Sequence, residues 1–124
     1  MKKSPQKIID QYFDAEAKMF VLLQTADKTD IYSQGIDEVI KAGEECIEMI
    51  PCLMSAFAHR GTGMPRQIRA ACQLAIIYEK RKEYAKAIRV CQIALGYNCD
   101  YDGTKGGMSA RLKRLQGKAS KLGG

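Results

Sequence analysis

Three groups of side chains in this 124-residue chain have the types and spacing that chemistry needs. The first is a thiol and an imidazole, Cys52 and His59, separated by six residues. A cysteine beside a histidine is the usual start of a nucleophile with its base. Here neither an orienting partner nor an oxyanion site accompanies the pair in the sequence. No CxxC-type spacing accompanies it either, so a zinc site lacks its usual ligand set. The second group is the loop Asp102-Gly103-Thr104-Lys105-Gly106-Gly107, whose backbone N–H groups ahead of a helix could cradle an anion. It lacks the GxxxxGK[ST] pattern and no buried strand precedes it. Its simpler reading is a turn in which Asp102 or Thr104 caps the following helix. The third is a stripe of cations, Arg111, Arg114, Lys118 and Lys121, spaced to share one helix face. Phosphates suit such a face, because neutralising them releases condensed counterions.

Carboxylate pairs such as Glu44-Glu45 lie in an amphipathic pattern that predicts exposure, and acid–base work needs burial to move a pKa. Catalysis, a cofactor and a bound metal are therefore not expected. The five cysteines, Cys46, Cys52, Cys72, Cys91 and Cys99, fall mostly at apolar helical positions. They read as reduced core residues of a cytoplasmic protein. No secretory h-region follows the basic start, and no apolar run approaches the ~20 residues a membrane helix needs.

The elements that must position these groups are helices. Ala, Ile, Leu, Lys, Glu and Gln dominate, while Thr and Val are scarce, so the chain reads as all-α. Its length suits a single helical domain, 1–124. Apolar periodicity predicts helices over about 5–26, 33–50, 65–82, 84–95 and 105–119. Ser4 and Ser33 are N-cap candidates, with Pro5 at a first helical position. Helix one carries two apolar stripes, one through Ile8, Tyr12, Ala15 and Met19 and one through Ile9, Phe13, Ala17 and Phe20. Burial on two sides is expected of it. Pro51 is expected to end or kink helix two. In helix five, Met108, Leu112, Leu115, Ala119 and Leu122 form the apolar seam, and Gly117 interrupts it.

The stretch Ile68–Tyr101 has small and large residues alternating across two short helices. Leu74-Ala75-x-x-Tyr78 is followed by Ala87-x3-Cys91-x2-Ala94. That string resembles one tetratricopeptide (TPR) repeat, a helix–turn–helix unit of about 34 residues. It departs at Ala71, where the family places an aromatic, at Cys91, where it places a large apolar residue, and at Cys99, where it often has proline. Helices one and two resemble a divergent earlier unit. The resemblance implies a stack of antiparallel hairpins with helix five as its cap, the alternative being an irregular helical bundle. It also implies a partner groove along the first helix of the hairpin, at Arg69, Cys72, Gln73, Ile76, Glu79 and Lys80. Cys72 and Ile76 stand where a carboxylate clamp would need polar residues, so an apolar peptide or helix is the expected ligand.

Charge is divided unevenly. The net charge is +6, composed of −3 up to Thr62 and +9 from Gly63 onward by residue count. A protein partner, or a second copy of the chain, is the leading expectation. A nucleic acid bound by Arg111, Arg114, Lys118 and Lys121 is the alternative.

Overall fold

The structure is a computed structural model that describes residues 4–123. Among these residues it is all-α, with five helices and no strand: α1 (Pro5–Thr25), α2 (Gln34–His59), α3 (Arg69–Lys80), α4 (Tyr84–Gly96) and α5 (Gly107–Gly123). The chain divides into two compact units, 1–64 and 65–124. This division falls within two residues of the point where the charge changes sign.

In the first unit α1 and α2 form an antiparallel hairpin. Ser4 caps α1 by accepting from Lys7 N at 3.2 Å, and Pro5 follows where its missing N–H costs nothing. Ser33 caps α2 by accepting from Ile36 N at 3.3 Å. The open ends of the two helices meet where Arg60 donates to the Gln6 side chain at 2.8 Å. Ile9, Tyr12 and Met19 of α1 are buried, as are Val39, Cys46, Ile50 and Leu53 of α2. The second stripe expected on α1 is covered only in part: Ile9 is buried and Phe20 half-buried, but Phe13 is 42% exposed and Ala17 is exposed.

Pro51 does not end α2, which runs on to His59. The proline ring is exposed, while Ile47, Ile50, Leu53 and Ala56 on either side of it are buried. Apolar burial of about 1.5–3 kcal/mol per large side chain outweighs the ~3 kcal/mol that an interior proline costs.

In the second unit α4 packs against both α3 and α5. Small residues sit at the α3–α4 crossing: Ala70, Ala71, Ala75, Ala87, Cys91 and Ala94 are all buried, with Leu74, Ile77 and Tyr78 filling in beside them. Helix α3 starts four residues later than periodicity predicts. The segment ahead of it is held out of the helix, because Pro65 O accepts from the Cys99 thiol at 3.2 Å and Arg66 O accepts from Tyr101 N at 3.1 Å. Helix α5 starts at Gly107, and its cap is Asp100 rather than Asp102 or Thr104. The Asp100 carbonyl accepts from Met108 N at 2.7 Å, and its carboxylate accepts from Ser109 N at 2.9 Å. This turn requires glycine: Gly107 has φ +62°, and a Cβ there would collide with the Asp100 carbonyl oxygen. Gly117 does not interrupt α5, which is helical to Gly123.

Candidate functional site

Two surfaces gather the residues that carry functional potential, one in each unit.

In the first unit a groove of about 900 Å³ runs between the N-terminal half of α1 and the C-terminal half of α2. Its α1 wall is Pro5, Ile8 and Gln11, and its α2 wall extends from Glu45 to His59. That wall covers four helical turns, about 21 Å. Met49 and Ala56 give it an apolar floor, with Cys52 exposed between them. Glu45 and Glu48 stand at one end and His59 at the other. The groove exists because the hairpin buries a single seam. Residues one position round each helix from that seam are left half covered.

Cys52 and His59 do line the same groove, but two helical turns, about 10 Å of rise, separate them along α2. That exceeds the hydrogen-bond reach a thiol–imidazole pair needs. In the core of the first unit, Tyr12 donates to the buried Glu16 carboxylate at 2.9 Å. Burial, with the nearby charges of Glu16 and Glu45, pushes the Cys46 thiol up to about 12. It is an inert thiol.

In the second unit the cationic stripe of α5 is not presented as a free face. Arg111 is only 7% exposed. Its Nε donates to the fully covered Asp102 carboxylate at 3.0 Å, and its Nη1 lies 3.7 Å from Glu79 of α3. Arg114 reaches Glu79 at 3.4 Å, and Lys118 is paired with the same carboxylate. Thr104 donates both its backbone N–H, at 2.9 Å, and its hydroxyl to Asp102. The loop that could have cradled an anion thus supplies the anion itself. Lys121 is exposed.

Both carboxyls titrate low. Burial pushes Asp102 up, but the Thr104 hydrogen bonds and the Arg111 guanidinium more than offset it, leaving the group below its ordinary 3.8. For Glu79, burial is likewise outweighed by Lys118 and Arg114, which hold it below its ordinary 4.5.

The groove expected along α3 is partly occupied by α5. Cys72 is buried, with its thiol 3.8 Å from the Tyr101 carbonyl and 4.0 Å from the Met108 sulfur. Glu79 is committed to the ion cluster. Arg69 and Lys80 are exposed, while Gln73 and Ile76 are half-buried. The six residues therefore do not form one open surface. Helix α5 covers part of α3 there, through Met108 against Cys72 and its three cations against Glu79.

Burial raises the Cys72, Cys91 and Cys99 thiols, Cys91 to about 11. No three His, Cys, Asp or Glu side chains among the described residues converge as a metal set would. No helix among those residues is long and apolar enough to cross a membrane. No family model matches the chain, and no curated protein or solved structure matches it either.

The sequence puts Ile8 on an apolar stripe of α1, and it sets Cys52 and His59 aside as a chemical pair for want of an orienting partner. It missed the groove they share with Met49 and Ser55. The available signal was Pro51: carrying the helical period through it puts Glu48, Cys52, Ser55 and His59 on one stripe.

Proposed function

We propose that the chain is a small, non-catalytic protein-interaction module of TPR-like helix pairs. Its docking surface is the α1–α2 groove, and its ligand is an amphipathic helix. The observation that carries this reading is the groove itself: a wall four helical turns long and open to solvent, with an apolar floor from Met49 to Ala56, the Glu45 and Glu48 carboxylates at one end and the His59 imidazole at the other. A helix laid there meets Ile8, Met49 and Ala56 with its apolar face, in the manner of helix-in-groove recognition. The TPR-like reading is supported by the small residues at the α3–α4 crossing and by α5 covering α3 as a terminal cap would. Four buried thiols suit a reducing, cytoplasmic setting.

Nucleic acid is the weaker reading. Three of the four cations assigned to it, Arg111, Arg114 and Lys118, are paired with Asp102 or Glu79. Binding phosphate would mean exchanging one anion for another.

The test is a display selection of amphipathic helical peptides against the immobilised protein, counter-screened with Met49→Asp. Enriched peptides should lose binding to that variant. A selection that yields no binder from a chain that sediments as a monomer, or binders indifferent to Met49→Asp, overturns the proposal.

A further inference from the structure

Resting on that reading, we infer that the helix accepted by the groove is α2 of a second copy, packed antiparallel about a two-fold axis at Cys52. A C2 interface uses one patch twice, so the patch must be complementary to itself. The α2 wall of the groove has that property. In an antiparallel pair centred on residue 52, position 45 faces 59, 48 faces 56, 49 faces 55, and 52 faces itself. Every one of these positions lines the groove, and the partner of each is also a lining residue.

The chemistry pairs as well as the positions. Glu45 meets the imidazole of His59, carboxylate against N–H donor. Met49 lies over Ser55, and the Glu48 stem lies over Ala56. Cys52, small and exposed, sits at the axis, where two helices approach most closely. Antiparallel packing also opposes the two helix dipoles. By contrast, a parallel pair would set Glu45 against Glu45 and Glu48 against Glu48, like charges at one end. Two α1–α2 hairpins joined this way form a four-helix arrangement, and each α2 fills the groove of the other copy. This covers apolar floor that one hairpin leaves open.

Cys52 is the one exposed cysteine of the five, so the native chain carries its own probe. Sedimentation of the full chain at about 100 µM should give a dimer, a concentration that populates micromolar association. Mild oxidation with diamide should then link Cys52 to Cys52. It should do so more than about tenfold faster than in Cys52→Ser/Glu38→Cys, because a thiol at the axis has a millimolar effective concentration of its twin. Ser55→Arg alters an exposed residue, so it should keep its helical circular dichroism and sediment as a monomer. Glu45→His or His59→Glu alone should weaken the dimer about two- to fivefold, and the two together should restore it.

A monomer at that concentration overturns the inference. If that monomer still binds selected helical peptides through Met49, the groove belongs to a different protein and the broader interaction reading stands. A dimer that ignores Ser55→Arg and does not link through Cys52 uses another face, which also overturns the inference. Loss of both dimer and peptide binding removes the two readings together.

Discussion

Asp102→Asn is the most informative single change in the second unit. Asp102 is fully covered and bound to Arg111 at 3.0 Å, and that guanidinium is itself 9% exposed. The amide keeps the shape and can still accept from Thr104. It removes the charge and turns one oxygen that faces Arg111 into a donor. Removing one partner of a buried pair costs about 3–5 kcal/mol, because the other charge is left without compensation. Arg111 retains Glu79 at 3.7 Å, so we expect the lower end, about 3 kcal/mol. Arg111→Met should cost about as much. The double variant should cost much less than the sum, with a coupling of about 2 kcal/mol. Since the chain has two units, the readout should be specific to the second: hydrogen exchange at the Leu115 amide, buried on α5, measures the opening of that helix. A cost below about 1 kcal/mol with additive double-variant behaviour would mark the cluster as an ordinary surface pair and refute the reasoning.

The same cluster sets a pH dependence. Asp102 and Glu79 are both held below their ordinary values of 3.8 and 4.5, so the unfolded chain binds protons more readily. Their stabilisation is complete above those ordinary values and is lost as pH falls through the depressed folded ones. Exchange protection in α5 should be flat from neutral pH down to about 5 and collapse below it; protection unchanged down to about pH 2 would contradict the assignment. Gly107→Ala should destabilise the second unit by at least about 2 kcal/mol, from the positive φ and the collision with Asp100, read by urea denaturation. Pro51→Ala should stabilise α2 by about 1–3 kcal/mol by restoring a donor toward Ile47, seen as slower exchange near residue 51. Labelled duplex and single-stranded nucleic acid should show no tight binding by anisotropy at about 50 mM salt. Changing Arg111, Arg114 and Lys118 together to Ala should lower stability more than it changes any residual binding.

The helices were legible because apolar periodicity reports a buried face directly. Ser4 and Ser33 act as the caps their types suggest, and the small residues of α3 and α4 sit at the crossing. What misled was local chemistry read without its distant partner. Pro51 breaks an isolated helix, yet the apolar residues around it gain more from continuing the helix than the proline costs. Pro65 suits a first helical turn, but Cys99 and Tyr101, more than thirty residues away, hold that segment out of the helix. Asp102, which looks like a cap, turns back to Arg111, and Asp100 takes over the cap because Gly106 and Gly107 allow the chain to reverse. Phe13 and Ala17, in the middle of the second stripe of α1, predicted a neighbour that the hairpin does not supply.

The cationic stripe shows why a charge map drawn from sequence overstates what a surface offers. Arg111, Arg114 and Lys118 share a face by spacing alone, and nothing local neutralises them. Their anions come from positions 79 and 102, which reach the helix only after α3 and the loop have folded. Where three of four cations already hold carboxylates, a phosphate must compete with partners that are partly desolvated and fixed in place, and counterion release contributes little. The groove of the first unit is the opposite case. Its polar groups are few, with the Glu45 and Glu48 carboxylates at one end of a short apolar floor and the His59 imidazole at the other, an order that suits its own reverse. A surface with that arrangement selects for register and direction as well as for attraction, and this is what makes a second copy of α2 a better occupant than an arbitrary helix.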